Sequence, residues 1–116
     1  MSSTETVLDH HLEAFVNQDR DEIMIDYGDD SVVVTNMGVF RGLDGIERLF
    51  TDLLYEFSQE DATIELNDTI VQGDFAYLLW HGETPDNIYE FCTATFYIPD
   101  ETITFQSFAG KIQPQN

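Results

Sequence analysis

The sequence is poor in positive charge: four Lys and Arg stand against 23 Asp and Glu, a formal net charge of -19 over 116 residues. A nucleic-acid-binding surface needs a basic footprint to neutralise phosphates, and four cations cannot build one. Anionic membrane surfaces are disfavoured by the same field. Cysteine is almost missing, and with Cys92 alone no intrachain disulfide can form, which points away from a secreted, stapled scaffold. Long apolar runs are missing as well. The longest, Phe75 to Trp80, falls far short of the roughly 20 residues that cross a bilayer as a helix. The opening Met-Ser-Ser-Thr-Glu-Thr has no basic stretch leading into an apolar one, so no signal peptide is expected. A cytoplasmic protein is the expectation, and the Asn67-Asp68-Thr69 sequon is then a chance match. There is no Gly-rich phosphate loop and no metal-ligand spacing, so neither a cofactor nor a metal is expected.

What is present is the material of a core. Apolar residues make up 42% and aromatics 13% of the chain, including nine Phe, five Tyr and one Trp. A disordered acidic tail would lack these, so the chain folds, and its length suits one domain spanning residues 1–116. The acids are dispersed rather than gathered in a tail. They coat the fold, and their mutual repulsion, which salt relieves, suggests a salt-rich setting.

Helical spacing of Leu8, Leu12, Phe15 and Val16 predicts a helix over Ser3 to Asn17, with Ser2 and Glu5 at capping-box spacing. A short helix is expected from Asp19, burying Ile23 and Tyr27 and ending at Gly28. Ser31 to Met37 reads as a β-branched strand with a brief return over Val39 to Arg41. From Leu43 to Phe57 the residues Ile46, Leu49, Phe50, Leu53, Leu54 and Phe57 form one apolar helix face. The period then drops to two, with Ile64, Leu66 and Ile70 expected on one face of a strand over Thr63 to Val71. Hairpin turns lead to strands over Phe75 to Glu83, Ile88 to Ile98 and Thr102 to Ile112. Helices followed by a long meander predict an α+β fold, the helices packed on one face of a strongly curved sheet.

Leu12 to Asn17, Asp29 to Val34, Gly38 to Ile46 and Ile103 to Gly110 together resemble the NTF2-like superfamily, in particular its SnoaL-like and ketosteroid-isomerase-like branch. The resemblance implies three N-terminal helices on a mixed, mainly antiparallel sheet wrapped into a cone-shaped α+β barrel of the cystatin/NTF2-like kind. It also implies a small apolar molecule as ligand in the open end of the cone, and pairing of two copies through the outer sheet face. The isomerase branch uses an aspartate base with a tyrosine and a protonated aspartic acid as oxyanion donors. Those positions align with Thr35, Leu12 and Ala94, which can supply neither the base nor the donors. Steroid isomerisation by that route is therefore not expected.

If Ala94 faces the cone, alternation turns Glu90, Cys92 and Phe96 the same way, and Tyr77, Leu79 and His81 on the preceding strand. Phe105 and Ser107 on the last strand, with Val33, Thr35 and Met37 on the first, complete the expected lining; Phe15, Tyr27, Phe40, Leu54 and Phe57 add aromatic and aliphatic wall. A bulge would reverse some of these assignments. His81 is the candidate base, with Glu90 and Thr35 assisting; the alternative is an edge histidine bonded to a carbonyl or water. Cys92 reads as small buried filler rather than a nucleophile. His10 and His11 are adjacent on a helix and so point to different faces, which rules out a shared metal. The acidic clusters Asp19-Arg20-Asp21-Glu22, Asp29-Asp30 and Glu60-Asp61 read as solvated caps and turns. Trp80 alternates with the inward set, so it is expected outside, as the anchor of a homodimer. Three functions stay open: a small-molecule enzyme doing proton transfer, cyclisation, dehydration or hydrolysis, a noncatalytic binding protein, and an association module with a filled cone.

Overall fold

A computed structural model describes residues 3–115; Ser2, half of the expected capping pair, lies outside the described residues. Helix α1 (Ser3–Val16) turns Val7, Leu8, His11 and Ala14 inward. It ends where Gln18 takes a left-handed backbone with φ 57°, uncommon for a residue with a Cβ. The Asp19 carboxylate accepts the Glu22 N–H at 3.2 Å and caps α2 (Arg20–Ile25).

Gly28 does not end this helix. Asp26 closes α2, its N–H reaching the carbonyls of Ile23 and Met24, and strand β1 (Tyr27–Thr35) starts at once. Tyr27 pairs with Ile103, and a bulge separates it from the regular pairing that resumes at Val32. The Ser31 hydroxyl satisfies the backbone there, donating to the Ile103 carbonyl at 2.6 Å and accepting from the Gly28 N–H at 2.9 Å. Tyr27 is thus a buried strand residue, not a helical one.

Strand β2 (Gly38–Arg41) returns beside β1, and α3 (Gly42–Phe57) follows with Ile46, Leu49, Phe50, Leu54 and Phe57 buried. Then come β3 (Thr63–Gln72), β4 (Phe75–Glu83), β5 (Asn87–Tyr97) and β6 (Ile103–Pro114). Strand β6 runs parallel to β1, giving the order β2-β1-β6-β5-β4-β3, and the other pairings are antiparallel. The sheet is mixed and does not close, and α3 packs on β1 and β2 while α1 packs on β4. This is the expected α+β class. Among the described residues no helix is long and apolar enough to cross a membrane.

Two further bulges decide which side chains face the helices. They fall between Leu66 and Asp68 on β3 and between Tyr89 and Cys92 on β5, where β5 carries one residue more than both β4 and β6. Ala76, Leu78 and Trp80 pair with Phe96, Ala94 and Cys92, and all six are buried on the helix side. Trp80 is therefore a core residue, packed on Phe57, Tyr89 and Phe108, and not the outer anchor its alternation suggested. Tyr77, Leu79 and His81 take the opposite, outer face. Phe105 and Ser107 are also outside, because Gln106 and Phe108 are the β6 residues paired with Phe96 and Ala94. Ile70 leaves the face of Ile64 and Leu66, because the bulge at Asn67 inserts one residue between them.

Candidate functional site

Helices α1 and α3 do not fill the helix-side face of the sheet. Between them lies a cavity of about 200 Å³, where a single water needs roughly 10–15 Å³ of such space. It is lined by His11, Leu12, Phe15 and Val16 from α1 and by Phe50, Leu53 and Phe57 from α3. The sheet contributes Ile64, Leu66, Leu78, Trp80, Ala94, Phe96, Gln106 and Phe108. Val16, Ile64 and Leu66 are 72%, 42% and 50% exposed, so the wall runs out to an apolar mouth beside the edge strand β3.

His11 and Gln106 are the polar side chains of this wall. His11 occupies the position after Leu8 and before Phe15 on the inward stripe of α1, which is why an imidazole is buried here. Its ring meets the edges or faces of Tyr27, Phe50 and Phe96 at centroid distances of 5.9, 5.6 and 5.5 Å. Nδ1 is buried with no hydrogen-bond partner among the described residues. Burial, and secondarily the neighbouring His10, lowers the His11 pKa to about 4, so the ring is neutral at pH 7. Gln106 is buried and its Oε1 accepts from the Tyr27 hydroxyl. Burial raises the Tyr27 pKa well above its ordinary value, so the phenol keeps its proton and the Gln106 amide nitrogen is left for the cavity.

Of the residues expected from sequence, Phe15, Phe57 and Phe96 line this space. Leu54 and Cys92 are buried in the adjoining core, and burial pushes the Cys92 thiol up to about 11. Tyr27 stands behind His11, and Phe40 packs on the core from β2. Met37 is 67% exposed at the β1–β2 turn, where Thr35 Oγ1 is taken by the Met37 N–H and the Gly38 carbonyl. His81 is on the outer face, Nδ1 2.8 Å from Asn67 Oδ1 and Nε2 3.1 Å from Glu65. Glu90, displaced by its bulge, lies 3.5 Å from Lys111. His81, Glu90 and Thr35 therefore do not converge. Among the described residues no group of three or more His, Cys, Asp or Glu is placed to hold a metal ion. His11 was legible from its spacing in the α1 stripe; Gln106 carried no signal, since both parities of β6 contain apolar residues.

The sequence profile of the SnoaL-like domain matches residues 8–107. No curated protein sequence matches the chain. Among solved structures it is similar to a protein from Sinorhizobium meliloti assigned as a polyketide cyclase, at 18% identity and TM-score 0.75, covering 93% of this chain and 99% of that one. It is similar to a protein from Kribbella flavida assigned as a ketosteroid isomerase, at 9% identity and TM-score 0.78, covering 98% and 82%. A de novo designed protein with a curved β-sheet is as similar in shape, at 12% identity and TM-score 0.78 over 96% and 88%. At these identities the likeness is one of fold.

Proposed function

Since the chain belongs to the SnoaL-like family of the NTF2-like superfamily, we propose that it binds a small, uncharged, apolar molecule in the cavity between α1, α3 and the sheet. The observation that carries this is the open apolar space of about 200 Å³ with two inward polar groups, His11 and Gln106. A filled cone would leave no such space. No Lys or Arg lines it, so an anion would enter without a counter-charge. A ligand carbonyl matches the Gln106 amide nitrogen, and the His11 ring stands on the same wall.

Proton transfer is a second reading, favoured by the unpaired, neutral His11 beside a hydrogen-bond donor. A carbonyl held by Gln106 would lose a proton from the adjacent carbon to His11. With a pKa of about 4 the ring is a weak base at pH 7, so binding is the primary function and proton transfer the slower one. Binding of the neutral fluorophore N-phenyl-1-naphthylamine tests the first. Wild type should bind it, and Ala94→Leu, which narrows the cavity, should lose about ten-fold in affinity, the cost of roughly 1.4 kcal/mol. A wild-type protein that leaves the probe in water would overturn the reading. For the second, His11→Gln should retain the probe but abolish deuterium exchange beside the carbonyl of a bound apolar ketone.

The outer sheet face is proposed as a homodimer surface, with Phe75, Phe91 and Phe105 in place of Trp80 as anchors; they are 55%, 58% and 38% exposed. Sedimentation equilibrium should find two copies, and Phe91→Asp should give one. Adaptation to salt is proposed from the charge of -19; the melting midpoint should rise with KCl, and a flat response would remove the idea.

A further inference from the structure

His10 and His11 adjoin in α1, and their surroundings are opposite. His11 lines the cavity, whereas both ring nitrogens of His10 meet carboxylates across on α2 and its end. Nδ1 lies 2.9 and 2.8 Å from the two Asp26 oxygens, and Nε2 lies 2.8 Å from Glu22. An imidazole flanked in this way bonds both partners as a donor only when both nitrogens carry protons. The bonds to Asp26 and then Glu22 raise the His10 pKa. The Asp26 side chain is 8% exposed, and among the described residues no Lys or Arg pairs with it, so His10 is its counter-ion.

The two ends of this clamp adjoin the polar groups of the cavity. His10 precedes His11 and Asp26 precedes Tyr27. The His11 and Tyr27 rings are in contact, and Tyr27 donates to Gln106. The Asp26 carbonyl also accepts the Ile103 N–H at 2.8 Å, tying the same corner to the strand that carries Gln106.

We propose that the Glu22–His10–Asp26 clamp is a positioning device that locks α1 to the α2–β1 corner and so holds His11, Tyr27 and Gln106 in one register. His10 is a positioning residue: it lies outside the cavity wall and acts through its neighbours. That the register serves a ligand rests on the cavity reading above; the coupling itself does not. The titratable groups facing His10 are Glu22 and Asp26 from the α2 side and His11 along α1. The clamp is complete while His10 is protonated and loosens as pH rises through its raised pKa.

A ligand-free NMR titration tests the coupling. In wild type the nuclear Overhauser contacts between the His11 and Tyr27 rings should weaken with the His10 midpoint, and the Gln106 side-chain amide should move with them. In His10→Gln the contacts should be weak at every pH and the shared midpoint gone. Glu22→Gln spares the buried Asp26 pair, so it should keep the coupling with the His10 midpoint lowered, and it decides the matter if His10→Gln fails to fold. Contacts that ignore the His10 titration in wild type, or that survive intact in folded His10→Gln, overturn the proposal. Affinity for N-phenyl-1-naphthylamine, followed in parallel, should fall about five-fold through the same midpoint in wild type and stay flat in His10→Gln, a coupling at the low end of the ordinary range. A wild-type protein that binds no probe counts against the cavity reading, and the ring contacts still decide the clamp.

Discussion

The two faces of this sheet are built from similar residues and end in different states. The helix side carries Ala76, Leu78, Trp80, Cys92, Ala94 and Phe96, all buried. The outer side carries Phe75, Phe91 and Phe105, all exposed, and a stacked Phe75–Tyr97 pair with ring centroids 5.0 Å apart. Apolar content therefore does not mark the inside. What separates the faces is which of them two helices cover, and the bulges that assign each side chain to one or the other. Polar groups follow the same division. The helix side holds a neutral imidazole and an amide; the outer side holds His81 beside Glu65 and Glu90 beside Lys111, all of them exposed to solvent.

The largest effect should come from deleting the same ring on each face. Phe96→Ala removes a buried side chain that also touches His11, and should cost about 3–5 kcal/mol in chemical denaturation. Phe91→Ala, 58% exposed, should cost about 0.5 kcal/mol or less at low protein concentration. Equal losses would break the distinction between the faces.

Acid should sharpen it. His11 has a pKa of about 4 in the fold against an ordinary 6.5. Above 6.5 both folded and unfolded chains are neutral at this site. As pH falls from 6.5 towards 4 the unfolded chain takes up a proton that the native chain refuses, so stability drops, by roughly 3 kcal/mol at most. His11→Gln should remove that part of the acid slope, measured as unfolding free energy against pH. His10 has the opposite sign. Its pKa is raised by Asp26 and Glu22, so its contribution is present below 6.5 and is lost as pH rises through the raised value. Adjacent histidines thus erode stability from opposite ends of the pH scale.

The fold was legible because periodicity reports it. The α3 stripe from Ile46 to Phe57, the start of a short helix at Asp19 and the hairpin turn leading into Phe75 all depend on local spacing, and each stands where expected within a residue or so. The site was not, because it depends on parity, and parity is inherited across strand pairs. Reading inward residues from Ala94 gave Cys92 and Phe96 correctly as buried, but the bulge after Tyr89 sent Glu90 outward. On β4 both parities are apolar, Ala76-Leu78-Trp80 against Tyr77-Leu79, and only the pairing of Leu78 with Ala94 chooses between them. A tryptophan paired with a small cysteine was the available hint, since large and small residues interdigitate in a core.

A smaller effect belongs to Gly110, opposite Cys92 on the helix side. A Cβ there would lie 2.4 Å from Cys92 Sγ and 3.2 Å from the Phe91 carbonyl. Gly110→Ala should cost about 1–3 kcal/mol as β5 and β6 shift apart. The double change with Cys92→Ala should recover part of it, because the sulfur is the atom in the way. Additive losses would place the strain in the backbone instead.

The smallest effects should be those of the outer polar residues. The His81 side chain is 45% exposed and its Glu65 partner 75%, while Lys111 and Glu90 are 68% and 39% exposed. Pairs held in water in this way contribute about 0–1 kcal/mol, because solvent screens them and ordering two side chains opposes the attraction. His81→Ala and Glu90→Gln should therefore leave both the unfolding free energy and the affinity for N-phenyl-1-naphthylamine nearly unchanged, where His11 variants change the acid response. The sharper observation is on His81, which sits across from Glu65 beside the β3 bulge at Asn67. If His81→Ala weakened probe binding while His11→Gln did not, the bulge would be transmitting a change through the strand to Ile64 and Leu66 at the cavity mouth. The outer face would then belong to the site, and the division between the two faces would fail at its edge strand.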